Sequence, residues 1–95
     1  AKRWVLLKHP AITALKSLQK RSFDLVYLDP PFADDLYGST LLELSSSGIL
    51  RNNTLVVVEH FHKTVLFKNY DKLEQYKNRR IGDSCLSFFR LEDFL

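Results

Sequence analysis

The sequence predicts an α/β fold: parallel strands followed by a C-terminal antiparallel β-hairpin. Three observations carry this expectation. Short apolar runs, "RWVLLKH", "FDLVYLD" and "TLVVVEH", alternate with stretches of helical spacing. The runs are apolar at successive positions, as strands covered on both faces are. The chain then closes on two strand-like segments either side of "IGD", the pattern of a hairpin. Strand–helix alternation of this kind builds a parallel sheet.

Residues 3–9 read as a short buried strand. Pro10 suits the first position of a helix, where its missing N–H costs nothing. Ile12, Leu15 and Leu18 follow at near-helical spacing, with Lys16, Lys20 and Arg21 toward the end of the helix, where cations suit the dipole. Residues 23–29 form the second strand. Asp34 or Asp35 can cap a helix through "LYGSTLLELSS", with Leu41, Leu42 and Leu44 packing inward and Gly48 as its stop. Residues 54–60 make the third strand, and their three consecutive valines imply burial on both faces. "HKTVLF" is a short helix or turn. "KLEQYKNRR" is polar, like an edge strand. Asp83 shapes the turn before "SCLSFFRL" (84–91) returns as an apolar strand.

A chain of 95 residues makes one domain. No apolar run approaches membrane-spanning length, and no secretory signal pattern is present. The single cysteine, Cys85, excludes an internal disulfide and fits a reducing cytoplasm. His60 and His62 with Cys85 lack paired metal-ligand spacing, so no metal is expected. The chain has no methionine and opens almost directly on a strand, as a piece of a longer protein would. The net charge is +3, and its distribution is more informative than its size. Residues 1–21 carry Lys2, Arg3, Lys8, Lys16, Lys20 and Arg21 and no acid, and a second basic group is Lys77, Arg79 and Arg80. Such clusters suit phosphate backbones, or simply solvate a surface.

The second strand ends on Asp29, Pro30, Pro31 and Phe32. Ligands of open α/β sheets sit beyond the carboxyl ends of the parallel strands. A carboxylate there accepts hydrogen bonds, and so does the Pro30 carbonyl. Two adjacent acceptors match an NH₂ group, and the Phe32 ring can stack on a flat heterocycle. The prolines hold these parts still. The combination suits methylation of an exocyclic base nitrogen, whose lone pair is delocalised into the ring. Acceptors on both hydrogens favour a more tetrahedral nitrogen with its lone pair free to react. A base inside a helix must first be flipped out, and an aromatic platform offsets part of that cost. A plain turn needs neither the second proline nor the aromatic. Glu59 and His60 end a central strand on the same side and are expected to hydrogen-bond a neighbouring loop rather than line the pocket.

"DPPF" resembles the D/N-P-P-Y/F motif of the class I, S-adenosylmethionine-dependent amino-methyltransferases. With "LLELSSSGILRNNTLVVVEH" and "RRIGDSCLSFFR" around it, the chain from Arg3 to Arg90 resembles the C-terminal half of the bacterial 16S rRNA guanine-N2 methyltransferase family. The resemblance implies a partial Rossmann-like class I methyltransferase fold, residues 1–95 being the C-terminal portion of that domain. It implies an enzyme whose cofactor is S-adenosylmethionine and whose partner is ribosomal RNA or the small ribosomal subunit. Asp29 and Pro30 would hold the guanine amino group, Phe32 would stack on the base beside Pro31, and Tyr27 and Leu28 would support them from the strand. Asp29 would also border the cofactor, while Arg79 and Arg80 would touch RNA phosphates. Asp83 gains a possible substrate-side role. His9, or local backbone, would stand in for the acid near the cofactor adenine, because Pro10 occupies the position where that acid is expected.

The family's glycine-rich cofactor loop belongs to its N-terminal half. Gly38, Gly48 and Gly82 form no G-x-G, so this chain alone is expected not to bind the cofactor. The family's sheet order, 3-2-1-4-5-7-6, loses strands 1 and 2 here. A gap would leave buried, unpaired backbone groups, each costing roughly 1–3 kcal/mol. The strand at 3–8 is therefore expected to pair directly with that at 23–28, giving the order 3-4-5-7-6, or a second copy is expected to cap the exposed edge. Two other readings keep the same residues: an adenine-N6 methyltransferase of DNA or RNA, and a non-catalytic RNA-binding remnant of the fold.

Overall fold

Among the described residues, six strands form one sheet with one helix against it. The computed structural model describes residues 4–7, 23–29 and 34–92. The helix expected after Pro10 lies outside these residues, as do His9, Pro30, Pro31 and Phe32. In chain order the elements are β1 (Trp4–Leu7), β2 (Leu25–Leu28), α1 (Asp34–Ser46), β3 (Leu55–Phe61), β4 (Asn69–Tyr70), β5 (Leu73–Ile81) and β6 (Ser84–Leu91). The sheet order is β1-β2-β3-β6-β5-β4. β1, β2 and β3 are parallel, and the other pairings are antiparallel. β1 pairs directly with β2, the pairing expected for the strands at 3–8 and 23–28, which satisfies the facing edges of both. The "HKTVLF" segment is a turn followed by irregular chain, and it leads into β4, a two-residue strand that the sequence gives no sign of. Among the described residues, no helix is long and apolar enough to cross a membrane.

Strand alternation divides the side chains into two faces. One face carries Val26, Leu28, Val56, Val58 and Phe89, all fully buried. Helix α1 covers it with Tyr37, Leu41 and Leu44, three to four residues apart on one side of the helix. Leu42 falls outside that stripe and is 49% exposed, a correction to the expectation that it packs inward. The other face carries Trp4, Leu6, Leu25, Tyr27, Leu55, Val57, Glu59, Leu86 and Phe88. Val57 is buried there, but Trp4 is 67% and Leu6 42% exposed. The apolar runs therefore predict burial on both faces correctly for β3 and overestimate it for β1. None of the described helical residues lies on this second face.

Thr54 joins the start of β3 to the start of β2. Its buried hydroxyl donates to the Phe23 carbonyl at 2.6 Å and accepts from the Arg51 N–H at 2.8 Å. The Leu55 N–H donates to the Asp24 carbonyl at 2.9 Å, so β2 and β3 enter the sheet in a fixed register. Gly48, at φ +83°, takes the left-handed conformation that ends α1. At the hairpin, Ile81 pairs with Ser84 across a two-residue loop whose first position is Gly82 at φ +62°. That is the II′ geometry, which matches the natural strand twist.

Candidate functional site

The carboxyl ends of β2 and β3 bring three polar side chains to the second face. Leu28 pairs with Val58, so Asp29 and Glu59 follow on neighbouring strands, roughly 4.8 Å apart in backbone spacing. Tyr27, two residues before Asp29, lies on the same side. Its hydroxyl donates to Glu59 Oε1 at 2.6 Å, which ties the ends of the two strands together. On the other side of the sheet the Tyr37 hydroxyl donates to the Glu59 carbonyl at 3.1 Å, so helix α1 holds the same residue by its backbone. A recess of about 260 Å³ opens beside them, lined by Tyr27, Glu59, Ile81, Ser84 and Leu86. A larger, polar recess of about 630 Å³ lies at the opposite ends of the parallel strands, against Glu74 and Leu91, away from the Asp29 corner.

Burial and the adjoining carboxylates set the chemistry of Tyr27. Desolvation, the hydrogen bond to Glu59 and the negative charges of Glu59 and Asp29 push its hydroxyl up to about 12 from 10.0. Each cause penalises the phenolate, so Tyr27 remains a hydrogen-bond donor throughout the neutral pH range. Because the folded state holds this proton more tightly than the unfolded chain, the associated stability is present below pH 10 and is lost as pH rises toward 12. Ultraviolet titration of tyrosinate should therefore show a late component to which Tyr27 contributes. Tyr27→Phe should reduce that component by one tyrosine and Glu59→Gln should move the Tyr27 contribution down toward 10; a late component unchanged in Tyr27→Phe would refute the assignment.

The expected site residues divide as follows. Asp29 stands half-buried at the end of β2, near enough for its charge to act on the Tyr27 hydroxyl, while the recess itself is lined by Tyr27 and Glu59. Pro30, Pro31, Phe32 and His9 lie outside the described residues. Arg79 and Arg80 are not brought together. Arg79 pairs with Leu86, which lines the recess, whereas Arg80 pairs with Cys85 and belongs to the other face, its Nε donating to the Gly82 carbonyl at 2.9 Å. Glu59 lines the recess instead of bonding a loop, and strand alternation with Tyr27 in register was the signal for it. His60, its neighbour, turns inward. Nδ1 donates to the Phe61 carbonyl at 3.0 Å, which leaves Nε2 to accept from the Ser87 hydroxyl at 2.7 Å. Among the described residues no cluster of histidine, cysteine and acidic side chains could hold a metal ion.

The described residues do not fit a complete S-adenosylmethionine site. Gly38 sits inside α1, where an added Cβ would lie 3.5 Å from the Tyr70 ring, while Gly48 ends the helix and Gly82 makes the hairpin turn. Gly48 and Gly82 take positive φ at a helix end and a hairpin turn, Gly38 lies within a helix, and none of the three forms a loop that could cradle the methionine carboxylate. The corner offers acceptors and an apolar wall, which suits the side of a site that meets a base.

The family model described as "Conserved hypothetical protein 95" matches residues 1–90. The chain belongs to that family. Among solved structures, a conserved hypothetical protein of Streptococcus pyogenes is similar at 28% identity and TM-score 0.69, over 81% of this chain and 50% of that one. The putative methyltransferase yhhF of Escherichia coli is similar at 24% identity and TM-score 0.69, over 86% of this chain and 45% of that one. A putative methylase of Haemophilus influenzae is similar at 21% identity and TM-score 0.66, over 98% of this chain and 74% of that one. The chain thus spans about half the length of the first two. A search of curated proteins returned no match. The mixed sheet of this Conserved hypothetical protein 95 member is the fold of those methyltransferase-like neighbours.

Proposed function

We propose that this chain forms the base-facing part of an S-adenosylmethionine-dependent methyltransferase that modifies the exocyclic N2 of a guanine in 16S rRNA. The observation that supports it most is Asp29, at the carboxyl end of β2 and next to the Tyr27–Glu59 bond, in the fold shared with neighbours named as methyltransferases. Asp29 accepts one amine hydrogen and the Pro30 carbonyl accepts the other. The nitrogen becomes more tetrahedral and its lone pair is released from the ring. Bound S-adenosylmethionine would supply the methyl group from its sulfonium and leave as the neutral thioether, and Asp29 would take the proton that the nitrogen sheds. Phe32 and Pro31 hold the flipped base, and Tyr27 keeps the two strand ends from separating.

Two measurements test this reading. The protein that carries these residues should convert guanosine to N2-methylguanosine in ribosomal RNA or small subunits, read by mass spectrometry of digested nucleosides. N6-methyladenosine as the product would move the assignment to adenine, and no methylated base on any RNA would end it. The 95-residue chain by itself should give no binding heat with S-adenosylmethionine. Micromolar affinity from these residues alone would refute the division of the site.

A further inference from the structure

The β5–β6 ribbon carries a cationic and aromatic track on one face, and the register explains how it arises. Gln75 pairs with Phe89, but Lys77 already pairs with Phe88, so Tyr76 is an extra residue in a β-bulge. A bulge sets two residues against one and re-aims their side chains. Tyr76 and Lys77 both come to the Phe88 side. Lys77 Nζ sits 5.5 Å from the Phe88 ring centre, and the Arg90 guanidinium sits 4.4 Å from that of Tyr76. The two rings lie 6.4 Å apart at 54°. Arg79 continues the row opposite Leu86. Lys77, Arg79 and Arg90 are exposed, and Tyr76 is 41% exposed. Glu74, opposite Arg90, is the acid on this stretch of the face.

The track runs into the recess beside Tyr27 and Glu59. Leu86 belongs to both, as the partner of Arg79 and as a wall of the recess with Tyr27 and Glu59. From Tyr76 to Ile81 the strand covers roughly 17 Å, at about 3.3 Å per residue. Cations alone would fit any anion. Cations interleaved with exposed rings fit a chain of phosphates that carries flat bases, because each base can stack where a phosphate is neutralised. A duplex hides its base faces and would leave the rings unused.

We propose that the face of the β5–β6 ribbon formed by Tyr76, Lys77, Arg79 and Arg90 binds a single nucleic-acid strand and leads it to the recess lined by Tyr27, Glu59 and Leu86, and that Arg80 takes no part. The inference rests on the nucleic-acid side of the proposed function, but its test needs neither methyl donor nor turnover. Single-stranded RNA and DNA share the chemistry that is recognised, so fluorescent twelve-nucleotide oligouridylate and oligothymidylate are both used, with a duplex RNA of the same length. Anisotropy titrations of the full chain across a salt series give the affinity and its slope. Each lost phosphate contact on a single strand should reduce the log–log slope by about 0.7. K77Q, R79Q and R90Q together should weaken binding more than ten-fold at low salt and flatten the slope by about 2. Tyr76→Leu should weaken binding at least five-fold with the slope unchanged, the mark of lost stacking rather than lost charge. R80Q should change neither quantity. Binding to either single strand supports the proposal, and the preferred one identifies the source. The proposal is overturned if R80Q weakens binding as much as R79Q, if Tyr76→Leu binds like the parent, or if the duplex binds more tightly than both strands. Loss of methyl transfer with this binding intact would count against the catalytic reading alone.

Discussion

Replacing Asp29 with alanine should slow methyl transfer by on the order of 10²-fold or more, the loss expected on removing a preorganised group aimed at a charge-developing atom. The change should spare the fold. Asp29 follows the last residue of β2, is half-buried, and is no member of the packed core, which is built from Leu28 and its neighbours. Single-turnover rates on ribosomal RNA measure the chemical step, and circular dichroism and the melting temperature measure the fold. A near-parental rate would remove Asp29 from the mechanism. A variant that loses both rate and fold would assign Asp29 a structural role instead. Tyr27 supplies an internal check, because removing the Asp29 charge takes away one of the influences that hold its proton.

Phe89→Ala should cost about 3–5 kcal/mol, a large part of the roughly 5–15 kcal/mol that holds a domain together. Phe89 is fully buried on β6, paired with Val56 on one side and Gln75 on the other. Its ring lies 5.8 Å from that of Tyr70, which in turn meets Phe67. It thus joins the parallel half of the sheet, the hairpin and the β4 corner in one packed cluster, and its removal leaves a cavity that three elements would have to move to fill. Urea denaturation should show the loss as a lower midpoint, or the chain should fail to fold. A loss under about 1 kcal/mol would place the centre of the core elsewhere.

Much of the fold was legible because its signals are local. The valine run of β3, the Gly-Asp turn and the apolar β6 each announce themselves within a few residues. The sheet order followed from counting which strands had to be satisfied. β4 was not legible, since two residues carry no periodicity. The bulge at Tyr76 was hidden because an extra residue in a polar strand changes no apolar pattern, yet it decides which side chains share a face. Arg79 and Arg80 read as a pair along the chain, but alternation sends them to opposite sides. At the candidate site, the strand end that carries Asp29 was visible in the apolar run that stops there. The role of Glu59 depended on register with β2, which the Thr54 and Leu55 hydrogen bonds fix and which adjacency along the chain does not reveal.

One of the two central strands of the sheet, β6, is made after all the other described strands. β3 has β2 on one side at once, but its other neighbour, β6, ends at Leu91. A nascent chain therefore presents Val56 and Val58 with an open lateral edge until β6 has left the ribosome. The hairpin has the opposite schedule, since β5 and β6 are contiguous and can close around Gly82 in microseconds once both have emerged. Assembly then becomes the docking of a finished ribbon onto a waiting parallel half. In this order of events the corner that holds Asp29 is tied to β3 before the surface proposed to hold a nucleic-acid strand exists.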